Sequence, residues 1–190
     1  MHAVFPSGRR RIILPMLIRP ATPDDVPALT HIYNTQGVAT TASYDLEDVD
    51  ETNRLEWLHE HIDLDLPVVV AELDGRVVGY ATYSPFRVKP GYRFTVEHSI
   101  YVDGDYHKRG IGEALMEWAI SSARDSGIHV MVGVLDAANV PSISLHEKLG
   151  FVSAGIWKQV CWKFGAWHDV ALFTLILSDD EPVQLAHGGC

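Results

Sequence analysis

The chain has 190 residues, 47 % of them hydrophobic and 21 % charged, which suits one globular domain with a sizeable core. A formal net charge of −10 argues against a general nucleic-acid binder, because such proteins need a basic surface to replace phosphate counterions. The two cysteines, Cys161 and Cys190, argue against a disulfide scaffold and fit the reducing cytoplasm. No metal site is expected, because C-x-x-C is absent and His59 and His61 would point to different sides of a helix.

The two ends of the chain are predicted to lie outside the folded domain. Residues 1–15 carry a basic run at Arg9 to Arg11, and the apolar stretch after it is broken by Pro15 and closed by Arg19. It is too short for a membrane span and lacks the cleavage pattern of a signal peptide. We interpret them as a flexible extension, and residues 178–190 as a flexible polar tail. The domain is therefore expected over residues 16–177, without membrane association.

The first half of the domain shows alternating strand and helix signals. A strand is predicted at Leu17 to Arg19. A helix is predicted over TPDDVPALTHIYNT, residues 22–35, with Val26, Leu29, Ile32 and Tyr33 on one face. A second helix covers residues 51–63. Asp74-Gly75 between two β-rich runs predicts a two-residue hairpin.

The second half begins with a strand at FTVEHSIYV, residues 94–102, and a helix that ends near Gly127. IHVMVGVL is the next strand. A short helix follows, with Pro141 in its first turn and Gly150 after its end. Two final strands are predicted as antiparallel neighbours around residues 164–167. The order β-α-α-β-β-β-α-β-α-β-β predicts an α/β fold, a mixed sheet with helices on its faces.

The stretch YHKRGIG, Tyr106 to Gly112, has the character of a phosphate-binding turn, with two glycines before an amphipathic helix. The P-loop pattern G-x-x-x-x-G-K-[ST] is absent. The third glycine of a dinucleotide turn is replaced by Leu115, and the polar loop 103–109 separates the glycines from the strand. Asp136, at the end of the next strand, slightly favours the dinucleotide, so NAD stays a distant alternative.

A third interpretation accounts for more of the chain. The turn His107 to Gly112 after a strand, and a later helix from Asn139 to the EKLGF that ends at Phe151, resemble the GCN5-related N-acetyltransferases, the GNAT superfamily, over residues 16–177. The resemblance implies the GNAT fold, a mixed, mostly antiparallel sheet of about seven strands with helices on both faces. It also implies that the turn binds the diphosphate of coenzyme A. The family has Gln or Arg where this chain has His107, which that pattern does not explain.

Four further stretches resemble one branch of that family, the phosphinothricin and methionine-sulfoximine N-acetyltransferases. They are TTASYDLED, SPFRVKPGYRFTVEHSIYV, SISLHEKLGF and KFGAWHDV. This resemblance implies direct transfer of an acetyl group from acetyl-CoA to the α-amine of a small amino-acid-like acceptor. It also implies a homodimer, for which the dense Trp157, Trp162 and Trp167 could supply an interface.

Two residues are candidates for catalysis. An ammonium must lose a proton before it can attack, and Glu97, in an apolar strand just before the turn, is the expected general base, as the resemblance also implies. Partial burial would raise its pKa toward the working range. His98 alternates to the other sheet face and is expected to be structural. His146 occupies a position where many GNAT enzymes have a Tyr, and it either assists proton transfer or lines the site.

The resemblance also assigns binding residues. For coenzyme A they are the backbone of Ile100, Tyr101 and Val102, the turn residues His107, Lys108, Arg109, Gly110, Ile111 and Gly112, and Asn139 and Ser142 at the start of the later helix. Asn139 is also an ordinary helix-capping residue. For the acceptor, whose carboxylate suits an arginine, the candidates are Phe86, Arg87, Arg93 and Lys163. A solvated basic loop is the alternative for the two arginines.

Two other functions stay open from the sequence. A protein or peptide N-acetyltransferase on the same fold predicts an open groove in place of an arginine-lined pocket. A non-enzymatic module that binds coenzyme A predicts that Glu97 is dispensable.

Overall fold

The computed structural model describes residues 16–178. The predicted extension, and all but the first residue of the predicted tail, lie outside the described residues. The strands are β1 (Leu17–Pro20), β2 (Val68–Leu73), β3 (Arg76–Pro85), β4 (Thr95–Val102), β5 (Val130–Asp136), β6 (Val152–Lys163) and β7 (Ala166–Ile176). The α-helices are α1 (Val26–Ile32), α2 (Glu51–Asp63), α3 (Ile111–Asp125) and α4 (Val140–Lys148).

All seven strands form one sheet in the order β1-β2-β3-β4-β5-β7-β6, and of these neighbours only β4 and β5 are parallel. Apolar side chains of α1 and α2, such as Leu29 and Leu58, pack against Val70 and Tyr80. On the opposite face of the sheet, Leu115 of α3 packs against Val69 and Ala71, which alternate with Val70 along β2. The predicted mixed, mostly antiparallel sheet with helices on both faces is therefore confirmed.

Strands β4 and β5 pair for only three residues before they separate. The pairs run from Thr95 with Val130 to Glu97 with Val132, where the pairing ends. Beyond that point, β4 continues to Val102 while its other edge stays paired with β3. The two strands thus diverge into a cleft, and beyond Glu97 the backbone groups of β4 that face it have no partner in a neighbouring strand.

The first helix departs from its prediction at both ends. A 3₁₀ turn at Pro23–Asp25 precedes α1, and a π-helical turn at Tyr33–Val38 follows it. The wider turn brings Gly37 close to the ring of Tyr101, where a Cβ on Gly37 would lie 3.2 Å from a ring carbon. The regular apolar spacing of α1 therefore ends before the predicted helix does.

The last hairpin forms one edge of the sheet. β6 is exposed over most of its length, and its pairing with β7 is irregular between Ser153 and Gly155 and again between Trp157 and Cys161. Trp162 and Trp167 face each other across the hairpin with ring centroids 5.2 Å apart, and both are more than half exposed. The predicted antiparallel pairing of the last two strands is confirmed.

Candidate active site

Glu97 lies at the position where β4 and β5 separate. It is half-buried, and across β3 it faces Ser84. Burial raises the pKa of the Glu97 carboxyl, and the nearby positive charge of Arg87 partly opposes this rise. A carboxylate with a raised pKa is a stronger base than a free carboxylate, which suits the role of a general base.

The side chains of β4 alternate between the two faces of the sheet. Tyr101, four residues after Glu97, packs with Tyr33 and Tyr80 beneath α1 and α2. Glu97 therefore opens on that face, whereas His98 points toward α3 and α4. The prediction that Glu97 and His98 lie on opposite faces agrees with this geometry.

His98 and His146 form a buried pair on the α3 and α4 side. Their Nε2 atoms are 2.9 Å apart, and the rings stack with centroids 5.0 Å apart. The Nδ1 of His146 lies 2.8 Å from the carbonyl oxygen of Ser142, and Phe151 and Phe173 surround the rings. Burial lowers the pKa of both histidines, that of His98 to about 3, so the pair is neutral at physiological pH.

The glycine turn begins α3 as predicted. Gly110 caps the helix with φ of 84°, a left-handed conformation that glycine adopts without strain. The first N–H groups of α3, from Ile111 onward, have no acceptor within the helix and attract an anion. A Cβ on Gly112 would meet only ordinary contacts, 3.7 Å from Val102 and 3.8 Å from Leu145, so the chain itself leaves room there. These features fit a diphosphate.

His107, for which the family pattern offered no reason, makes a local hydrogen bond. Its Nε2 lies 2.8 Å from the carbonyl oxygen of Val102 and donates to it, which connects the turn to the end of β4. Arg109 donates to the carbonyl of Asp105 and lies over the ring of Tyr106. Lys108 is exposed with φ of 60°, so its side chain is available to a ligand.

Asn139 and Ser142 lie together at the start of α4. The Asn139 side chain accepts a hydrogen bond of 3.1 Å from the Ser142 N–H, so the capping interpretation of Asn139 is confirmed. Ser142 also supplies the carbonyl that His146 contacts. The structure therefore connects these residues to the histidine pair through one turn of helix.

The acceptor candidates of the loop before β4 do not all face Glu97. The rings of Phe86 and Tyr92 are 6.0 Å apart, and the Arg87 guanidinium lies 4.9 Å from the Phe86 centroid, close enough to act on Glu97. Arg93 instead lies over Phe94 and donates to the carbonyl of Pro90. Arg87 is thus the arginine that the structure brings to the carboxylate.

Lys163 is buried at the far end of β6, and only 3 % of it is exposed. Its ammonium donates a hydrogen bond of 2.6 Å to the carbonyl of Ser43, which ties the segment after α1 to the last hairpin. Burial lowers the pKa of Lys163. The structure does not bring Lys163 into contact with Glu97 or Arg87.

A polar corner beside Lys163 was not predicted from the sequence. The hydroxyl of Tyr44 is buried without a hydrogen-bond partner among the described residues, and burial, with help from Asp136, raises its pKa to about 12. The carboxylate of Asp136 lies 3.7 Å from the Nδ1 of His168. Tyr44 belongs to TTASYDLED, one of the stretches that resemble the family branch. That resemblance was the feature of the sequence that could have marked Tyr44 as a site residue.

Within residues 16–178, no group of three or more His, Cys, Asp or Glu side chains is arranged to hold a metal ion. In the same part of the chain, no helix is both long and apolar enough to cross a membrane.

Known acetyltransferases resemble this chain in sequence and in fold. Residues 27–151 match the family model for the acetyltransferase (GNAT) family. The L-methionine sulfoximine/L-methionine sulfone acetyltransferase of Salmonella typhimurium is 40 % identical over 86 % of this chain and 96 % of its own length. The phosphinothricin N-acetyltransferase of Alcaligenes faecalis is 36 % identical over 82 % of this chain and 79 % of its own.

Two solved structures extend the comparison. A putative acetyltransferase of Salmonella typhimurium, yncA, with its cofactor acetyl-CoA, has a TM-score of 0.85 at 40 % identity, covering 88 % of this chain and 97 % of that one. The ribosomal-protein-alanine N-acetyltransferase of Brucella melitensis has a TM-score of 0.83 at 42 % identity, covering 84 % and 99 %. The family match, the relatives and the shared fold lead to one conclusion: this chain belongs to the GNAT family of acetyltransferases.

Proposed function

We propose that the protein transfers an acetyl group from acetyl-CoA directly to the α-amine of a small amino acid or analogue. Acceptors of the methionine sulfoximine, methionine sulfone and phosphinothricin type are the first candidates, since relatives carry those names. The observation that carries the proposal is the half-buried Glu97, with its raised pKa, at the root of the cleft between β4 and β5. A cytoplasmic location belongs to the same proposal and is supported by the cysteine usage.

In this proposal, Glu97 removes the proton that makes the acceptor amine a nucleophile. The edge of β4 at Ile100 to Val102, where the Val102 carbonyl already accepts from His107, binds the pantetheine arm through its remaining groups. Its amides stabilise the negative charge that develops on the thioester oxygen. The turn from His107 to Gly112 binds the diphosphate, with Lys108 and Arg109 as the cations nearby. Asn139 and Ser142 complete the coenzyme site at the start of α4. His146 lines the cleft in this scheme, because both of its ring nitrogens already have partners.

The acceptor binds on the face of Glu97. Arg87 pairs with its carboxylate, and Phe86 and Tyr92 form a wall. Arg93 is proposed for a second acidic group of the acceptor. Lys163 contributes by holding the segment of Ser43 against the last hairpin.

Replacing Gly112 by Ala tests the coenzyme site. Ala fits the fold and favours a helix, so the free energy of unfolding should stay equal or rise by about 0.5–1 kcal/mol. Affinity for coenzyme A, measured by calorimetric titration, should fall, because the methyl group occupies space that the diphosphate approaches. Gly91→Ala is the control, since a Cβ there meets nothing within 4 Å. Unchanged affinity in Gly112→Ala would contradict the assignment of the turn.

Replacing Arg87 by Gln tests the acceptor site and the base together. The KM for the amino acid should rise, because the carboxylate loses its partner. The pKa of Glu97 should also rise, since Arg87 normally lowers it, so the acid limb of kcat/KM should move to higher pH. Lys89→Gln in the same exposed loop is the control. If the acid limb stays in place or moves to lower pH, Arg87 does not act on the base.

A panel of acceptors tests the function itself. Purified protein is mixed with acetyl-CoA and amino acids, sulfoximines, phosphinothricin, polyamines or peptides, and release of free thiol is followed. The proposal expects the small amino-acid analogues to give the fastest release. A preference for peptides would favour a protein N-acetyltransferase, the activity named for the Brucella relative. No release with any acceptor would favour a module that only binds coenzyme A.

A homodimer is part of the proposal. The exposed tryptophans Trp157, Trp162 and Trp167 of the last hairpin, with Phe164 between them, form a surface that a second copy could cover. Sedimentation of the full chain should show two copies, and a single copy at micromolar concentration would contradict this part.

A further inference from the structure

The histidine pair lies where β4 and β5 stop pairing. Glu97 and Val132 are the last partners, and His98 and Gly133 are the next residues of the two strands. A Cβ on Gly133 would be 2.7 Å from the Nε2 of His146 and 3.2 Å from that of His98. The tips of both rings therefore fill the space that a side chain on Gly133 would take, directly behind the root of the cleft.

The hydrogen bonds determine which ring nitrogen carries each proton. The Ser142 carbonyl can only accept, so the Nδ1 of neutral His146 carries the hydrogen and its Nε2 offers a lone pair. The Nε2 of His98 must then be the donor across the 2.9 Å contact. His98 is left with an Nδ1 lone pair, and that atom is buried without a partner among the described residues. The hydrogen bonds thus run in one direction: His98 donates to His146, and His146 donates to the Ser142 carbonyl.

We propose that His98 is a positioning residue that holds the His146 ring across the root of the cleft, and that the paired rings limit the size of the acyl group the enzyme transfers. The inference rests on the proposed function, because Glu97 sets where the acyl carbon must lie. Glu97 opens on one face of the sheet and the pair closes the other. An acyl chain longer than acetyl, directed away from the acceptor, would meet the rings.

The position of the protons is tested by nitrogen NMR of the histidine rings in the full chain. In the wild type, His146 should show a protonated Nδ1 and a hydrogen-bonded, unprotonated Nε2. His98→Phe removes the donor and keeps a ring, so the His146 Nε2 signal should move to that of an unbonded nitrogen. His98→Gln retains an N–H donor and should restore part of the shift. His59→Phe, an exposed change on α2, should leave the signal unchanged.

A proton on the His146 Nε2 in the wild type, or a signal indifferent to His98→Phe, would overturn the positioning role. This measurement needs no substrate, so it is independent of whether acetyl transfer occurs.

The acyl limit is tested by comparing acetyl-CoA with butyryl-CoA. The ratio of kcat/KM for butyryl to that for acetyl should rise at least about tenfold in His98→Ala, since one or two methylenes in a fitted pocket discriminate by that order. If His98→Ala does not fold, His98→Asn, which shortens the side chain and keeps a donor, gives the same comparison. If a folded variant keeps the wild-type ratio of butyryl to acetyl kcat/KM, the rings do not limit the size of the acyl group. Absence of thiol release from the wild type with acetyl-CoA would instead contradict the proposed function.

Discussion

Replacing Glu97 by Gln should lower kcat/KM by about 10²–10⁴-fold, the usual contribution of a positioned general base. The amide has nearly the shape of the carboxylate but cannot take a proton. In the wild type, kcat/KM should rise with pH as Glu97 loses its proton, and burial shifts this acid limb upward from the ordinary pKa of a free Glu. The variant should lose that limb. Initial rates of thiol release at several pH values measure both effects.

The matched control is Glu117→Gln, an exposed carboxylate on α3. It should keep wild-type rates, and both variants should bind coenzyme A as the wild type does, because neither residue belongs to the coenzyme site. Full activity of Glu97→Gln across the pH range would show that another group, or solvent, removes the proton.

Replacing Gly133 by Ala should destabilise the fold by about 1–3 kcal/mol, the usual cost of overpacking a core. The new methyl group would lie 2.7 Å from the His146 Nε2 and 2.8 Å from its Cδ2. The ring cannot move freely, because it is hydrogen-bonded at both nitrogens. Urea unfolding measures the change in the free energy of unfolding.

Gly91→Ala serves as the control again, since it adds the same methyl group in open space. It should change the free energy of unfolding by much less than Gly133→Ala. Equal stability of the two variants would mean that the two histidine rings shift at little cost to make room for a methyl group. They would then not be rigid enough to limit the size of an acyl group.

Local patterns predicted much of the fold because their causes are local. Asp74 and Gly75 both have positive φ in the structure, as the hairpin turn requires. Gly150, with φ of 89°, follows α4 where a helix-ending glycine was predicted. Glu97 could be proposed as the base because its place in the strand before the glycine turn is visible in the sequence and the family resemblance points to the same residue.

The rest of the site depends on contacts between distant residues. His98 and His146 are 48 positions apart, and neither position alone indicates a shared hydrogen bond. Lys163 contacts Ser43 across 120 positions, so its burial could not be read from a polar turn. Arg87 and Arg93 were both predicted to bind the acceptor, but their side chains make different contacts. The sequence could not distinguish them, because side chains in an irregular loop do not alternate in a regular pattern as they do in a strand.

The irregular pairing of β6 has a consequence for how the protein behaves in concentrated solution. A long exposed edge strand presents unpaired backbone groups that can recruit further strands and lead to aggregation. Here Gly155 and Gln159 both have positive φ, at or beside the two irregularities, and the Lys158 ammonium lies beside the second. An incoming strand would find a straight ladder for only a few residues before a kink or a charge interrupted it. The edge is thus resistant to open-ended sheet growth while its tryptophans stay exposed.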